Sequence, residues 1–270
     1  MLPASVEVGP LATIGTGAYI GDGAVIGKGA YIGARAYIGA RADIGTGATI
    51  GDGAVIGTGA TIGDGAVIGK GATIGTRAYI GDGADIGTGA TIGKGAYIGA
   101  RADIGTGATI GDGAVIGTGA TIGAGAYIGD GATIGDGATI GDGAVIGTGA
   151  YIGDGATISP RADIGTGATI GAGAYIGDGA VISPRADIGT GAWFISCGPQ
   201  GTRNAMLTAV QKPDGLRWWV GCKQGVTTAE LLQLVEKTHG AGAHGDDYRA
   251  VIAFVESHPG RLRAVDGGSK

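Results

Sequence analysis

The stretch IGDGAVIGTGATIG, residues 50–63, states one six-residue phrase twice and begins it a third time. With isoleucine as position one, the unit is Ile-Gly-x-Gly-Ala-x, as in residues 50–55. The phrase runs without interruption from Ile14 to Ile188, with Ile at every first position and Ala at every fifth. Weaker units occupy residues 2–7 and 8–13. Within a unit, Ala-x-Ile alternates small, variable, large, the period-two pattern of a strand with one face buried. This places Ile50, Ile56 and Ile62 inside with Ala54, and leaves Thr, Val, Tyr or Asp outside. Gly-x-Gly makes the corner between strands. Its second glycine, Gly53 in this unit, suits a positive φ that a Cβ disfavours.

Three such strands close a triangle of three units. The pattern resembles the hexapeptide-repeat proteins, whose fold is the left-handed parallel β-helix. The resemblance covers about residues 2–193. It implies a triangular solenoid of about ten coils, on the order of 45–50 Å long at the spacing of hydrogen-bonded strands. The expected fold is thus an all-β left-handed parallel β-helix followed by a small α+β domain. Burying one Ile returns roughly 1.5–3 kcal/mol, less than the cost of ordering six residues, so a coil is stable only against its neighbours.

Composition agrees with a repeat and with little else. The 64 glycines would suggest disorder if they lacked a period, and they do not fall at every third residue as in collagen. No basic, apolar leader opens the sequence and no apolar run is long enough for a membrane span, so no membrane partner is expected. A cytoplasmic location is the default. Through Trp193 there are nine Lys/Arg against sixteen Asp/Glu, and beyond it nine against seven. An acidic solenoid does not attract a phosphate backbone, and no nucleic-acid partner is expected.

Six units carry Arg in place of the second glycine: Arg35, Arg41, Arg77, Arg101, Arg161 and Arg185. Four of them read Arg-Ala-Asp, a spacing that suggests weak surface ion pairs on one strand face. The unvarying Ile and Ala point to consensus design or a very recent duplication, since other aliphatic residues would serve nearly as well. Of these, an engineered array is favoured.

Hexapeptide-repeat proteins are best known as acyltransferases that use a histidine base. Here no histidine precedes His239 and no loop interrupts the six-residue register. The carbonic anhydrases of the same fold hold zinc with three histidines, also missing from the coils. The expectation is therefore a non-enzymatic structural solenoid, with no catalytic residue and no cofactor. The alternative is an acyltransferase-like protein whose site lies between subunits or in the C-terminal domain. Self-association, with a trimer favoured, follows from the resemblance and from an outward column, Tyr19 to Val181, charged only at Asp163.

From Trp193 the repeat stops. The expected division is 1–193 for the β-helix, 194–260 for a capping and assembly domain and 261–270 for a frayed tail. Trp193 and Phe194 mark the junction. Strands are expected over 193–197, 205–211 and 216–222, with a loop at 198–204 and a turn at 212–215. Thr227 and Glu230 form a capping box for a helix ending near Gly240, and Asp246 is expected to cap a second helix. The region resembles a domain that follows hexapeptide repeats in some uncharacterised bacterial proteins. Cys197, Cys222, His239 and His244 are residue types that suit Zn²⁺, but their spacings match no compact finger. Two buried thiols and two loop histidines are the plainer reading, and no metal is assigned.

Overall fold

The computed structural model describes residues 5–190, 194–200, 205–212, 215–220 and 223–257. Within 5–190 every unit contributes one two-residue rung, from Glu7–Val8 to Asp187–Ile188. Each rung pairs in parallel with the rung three units on, as Tyr79 with Tyr97 and Ile80 with Ile98. The rungs build three sheets of 11, 10 and 10 strands, the three sides of a parallel β-solenoid. From Ile20 onward each repeat isoleucine among the described residues is at most 2% exposed. The core is thus a column of Ile with Ala filling the corners.

Three backbone bonds per unit tie the coils together. Tyr19 N–H donates to the Ala36 carbonyl at 2.9 Å and Gly21 N–H to that of Ile38 at 2.8 Å, both toward the next coil. The position-four amide points the other way, Gly47 N–H to the Lys28 carbonyl at 2.9 Å. The rod therefore has a direction, and the outer N–H groups of its last coil have no further coil to donate to and look to whatever covers it.

The two glycines of the corner do different jobs. Gly53 sits at φ 66°, and nothing lies within 4 Å of where its Cβ would be. The six arginines occupy this same position at φ 58–59°. They stand at corners, off the rung that carries the following Asp. This is why Arg41, Arg101 and Arg161 make no ion pair with Asp43, Asp103 and Asp163, contrary to the strand-face expectation; Arg161 pairs instead with Asp178, 3.5 Å away. Gly51, by contrast, is required by proximity, since a Cβ there would lie 2.6 Å from the backbone nitrogen of Lys70.

Position three carries a device that six-residue periodicity does not show. Asp52, Asp64, Asp82, Asp112, Asp130, Asp136, Asp142 and Asp154 each accept, on Oδ1, a backbone N–H from the coil below at 2.7–3.0 Å. These carboxylates close corner amides that the ladder leaves open.

The C-terminal region is a four-stranded antiparallel sheet with two helices. Its strands, here β1 to β4, are Phe194–Gln200, Ala205–Lys212, Gly215–Val220 and Lys223–Val226, paired in that order. Residues 198–200, expected in a loop, extend β1, and β4 was not anticipated because KQGV lacks apolar alternation. Trp193, the turn residues Pro213 and Asp214, and the tail 258–270 lie outside the described residues. Helix α1 spans Thr228–His239 with the Thr227/Glu230 capping box in place. The Thr227 hydrogen bonds hold the Glu230 carboxyl below its ordinary pKa. Helix α2 spans Ala243–Ser257. Asp246 lies in its first turn rather than at its cap, because the Gly242 carbonyl already receives the amides of Gly245 and Asp246.

Period two decides how the sheet seats. Val210 and Trp219 join the solenoid core, with half-buried Phe194 packed against it. Leu207, Ala209 and Trp218 face the other way and pack with Leu231, Val235, Tyr248, Ile252 and Val255 of the helices. The adjacent tryptophans thus serve opposite faces, and the sheet lies between end coil and helices. Thr208, fully buried, accepts the Ser183 N–H on Oγ1 at 3.2 Å, and Lys212 Nζ meets Asp187 at 2.6 Å. Two of the end coil's groups are thereby satisfied.

Candidate functional site

An open groove with a volume of about 450 Å³ lies on the β-solenoid beside this junction. Its floor is the stacked outward residues Val145, Asp163 and Val181, in register on consecutive coils. Thr166, Ser183 and Pro184 form its rim at the next corner. Asp163 is the charged residue of the lining. Ser183 belongs both to the groove and to the hydroxyl pair with Thr208, 3.1 Å apart, so the groove borders the C-terminal sheet.

The chain has three histidines. Two meet where α1 gives way to α2. His239 ends α1 and stacks on Tyr248 with ring centroids 5.4 Å apart. His244 stands edge-on to His239 at 6.1 Å, and its Nδ1 lies 4.0 Å from Oδ2 of Asp247. Burial pushes the Tyr248 phenol above its ordinary pKa. Arg249 clamps the helix junction by donating to Asp246 at 2.8 Å, Glu236 at 3.2 Å and the Gly240 carbonyl at 2.8 Å. The third histidine, His258, lies outside the described residues.

Of the four residues suited to zinc, the fold brings His239 and His244 together. Cys197 lies on β1, which leads from the solenoid, and Cys222 lies outside the described residues. Among the described residues no group of three or more His, Cys, Asp or Glu is arranged to hold a metal ion, and no described helix is long and apolar enough to cross a membrane.

Five segments, 29–64, 59–94, 89–124, 114–148 and 149–184, match the family described as bacterial transferase hexapeptide (six repeats). The chain belongs to this family. None of the curated proteins compared with the chain matches it. Among solved structures, the UDP-N-acetylglucosamine acyltransferase from Campylobacter jejuni is similar, with 23% identity over 60% of this chain and 70% of its own and a TM-score of 0.34. The Arabidopsis UDP-N-acetylglucosamine acyltransferase aligns over 98% of this chain and 99% of its own at 14% identity, TM-score 0.40. The polySia-specific acetyltransferase NeuO covers 93% and 100% at 14% identity, TM-score 0.34. At these identities the likeness is one of fold.

The family corrects the functional expectation. A non-enzymatic scaffold, not an enzyme, was inferred from coils without histidine; the matched family is one of bacterial transferases. The absence of a coil histidine excludes only a histidine base within the coils.

Proposed function

We propose that the protein is an acyltransferase of the hexapeptide class whose site lies between subunits, and that the C-terminal module supplies the base. The family match carries the reaction class. The placement of the histidines supports the second half. Within one chain the four-stranded sheet separates α1 and α2 from the end coil, so His244 meets a solenoid groove only from a neighbouring copy. The outward column that holds the groove carries Asp163 as its one charge, which suits a side-by-side interface, with a trimer favoured. The module also serves as a cap, with Thr208 accepting an amide of the exposed coil edge.

In this arrangement His244, with the Asp247 carboxylate 4.0 Å from its Nδ1, takes the proton of an acceptor amine or hydroxyl. The freed lone pair attacks the carbonyl of an acyl thioester. As the C–S bond breaks, the leaving thiolate recovers the proton from the imidazolium. Asp163 holds the acceptor by accepting a hydrogen bond. A positioned base of this kind contributes about 10²–10⁴-fold to the rate. Thiol release from acyl thioesters, measured against a panel of amine and hydroxyl acceptors, should therefore fall at least about 100-fold in His244→Ala, with the circular-dichroism spectrum unchanged. No turnover by the intact protein with any thioester and acceptor class would end the proposal.

A further inference from the structure

We infer that the solenoid carries two surface sites for flat aromatic anions, each a stacked tyrosine pair framed by arginines. Among the described residues the stacked tyrosines are Tyr19 with Tyr37 and Tyr79 with Tyr97, both at 4.9 Å between ring centroids with interplanar angles of 10° and 7°. All four rings are exposed. Four of the six corner arginines frame these two pairs. Arg35 and Arg41 occupy the corners before and after the rung of Tyr37, at the two edges of one solenoid face. Arg77 stands at the corner before Tyr79, and Arg101 at the corner after Tyr97, again at opposite edges of the shared face.

The arginine stems lie back along the rod. Their Cγ atoms come 3.5, 3.3, 3.8 and 3.7 Å from where a Cβ would stand on Gly17, Gly23, Gly59 and Gly83 of the preceding coil. Each guanidinium is thereby carried toward the coil below while its backbone accepts a left-handed φ that glycine adopts without cost. None of the four makes an ion pair among the described residues. The second pair has a further cation, Lys94, beside Arg77 at the corner that precedes it. Of the nearby carboxylates, Asp52, Asp64, Asp82 and Asp112 are already engaged with the amides of Ala34, Thr46, Asp64 and Lys94; Asp22 stands at the corner of Arg41, and Asp43 and Asp103 on the rungs that follow Arg41 and Arg101.

On a solenoid with seven more acidic than basic residues, these faces set cationic side chains at the edges of a flat aromatic wall. At the second pair, the rung below Tyr79 carries the much shorter Thr61, in register with it. The outer part of the Tyr79 ring therefore has room for one more flat ring at the same spacing. A planar ring there continues the stack, and a phosphate, sulfonate or carboxylate on it meets Arg77, whose stem leans over Gly59 of the same coil, with Lys94 above it.

The test uses the full chain and substitutions that other units already contain at the same positions: Tyr79→Thr with Tyr97→Thr, and Arg77→Gly with Lys94→Thr and Arg101→Gly. Naphthalene-2-sulfonate is titrated by saturation-transfer NMR and calorimetry, with methanesulfonate and 2-naphthylmethanol as probes of charge alone and ring alone. The inference expects the sulfonated ring to bind the parent at least tenfold more tightly than either control. Each set of substitutions at the second pair should weaken the binding that this pair contributes at least tenfold, leaving that of Tyr19/Tyr37. Binding of the sulfonated ring that is unchanged by both sets, or no tighter than that of the controls, overturns it.

Discussion

Replacing Ile104 by Asp is expected to cost about 5 kcal/mol or more, among the largest effects of a single change. Ile104 is fully buried and packs in register between Ile86 and Ile122. A carboxylate in that column has apolar neighbours on both sides and no partner, so it must either shed its charge or open the stack. Because each coil depends on its neighbours, the damage spreads along the rod. Thr109→Ser, on the outside of the same solenoid, should change stability by no more than about 0.5 kcal/mol. Denaturant melts of the two variants are compared directly. Equal shifts would refute the inward and outward assignment.

The second large effect is expected at a glycine that torsion angles do not single out. In Gly51→Ala the new methyl meets the Lys70 backbone nitrogen at 2.6 Å and the Gly69 carbonyl carbon at 2.7 Å. Backbone held by parallel bonds on both sides cannot yield as a side-chain tip does, so the cost should reach about 3 kcal/mol. Gly53→Ala puts a Cβ at φ 66° in open space and should cost only about 1–2 kcal/mol. The native arginines at that corner already bear the same conformation. Melting temperatures that rank Gly53→Ala as the more harmful would show that torsion, rather than coil spacing, governs the corner.

These two glycines show where sequence reading succeeds and where it stops. Position one and position five were legible because burial follows the six-residue phrase, and the positive φ of the second glycine followed from turn chemistry. The demand on the first glycine arises between residues eighteen or nineteen apart, and so do the amides taken by the position-three aspartates. Neither leaves a mark within one unit, where Asp, Thr, Lys and Ala look interchangeable. Arg-Ala-Asp was misread for the related reason that a corner residue was treated as part of the strand. In the C-terminal module the capping box was plain, but β4 was not, since Lys223–Val226 has one apolar side chain and forms only because β3 offers it an edge. The candidate site was the least legible part. Asp163 is one outward residue among thirty until the coils stack Val145 and Val181 beside it, and His239 and His244 are brought edge to face by the bend between two helices.

The central claim is that one copy's module completes a site on its neighbour's solenoid, and subunit mixing tests it most directly. Chains carrying His244→Ala are co-expressed with chains carrying Asp163→Val, a residue the repeat already uses at outward positions. Each parent alone should be nearly inactive in thioester turnover. The mixed oligomer should recover about one quarter of the wild-type rate, the share of interfaces in a randomly mixed ring that join the intact half of each parent. A mixture no more active than its parents, with mixed oligomers confirmed by mass spectrometry, would contradict a site shared between subunits.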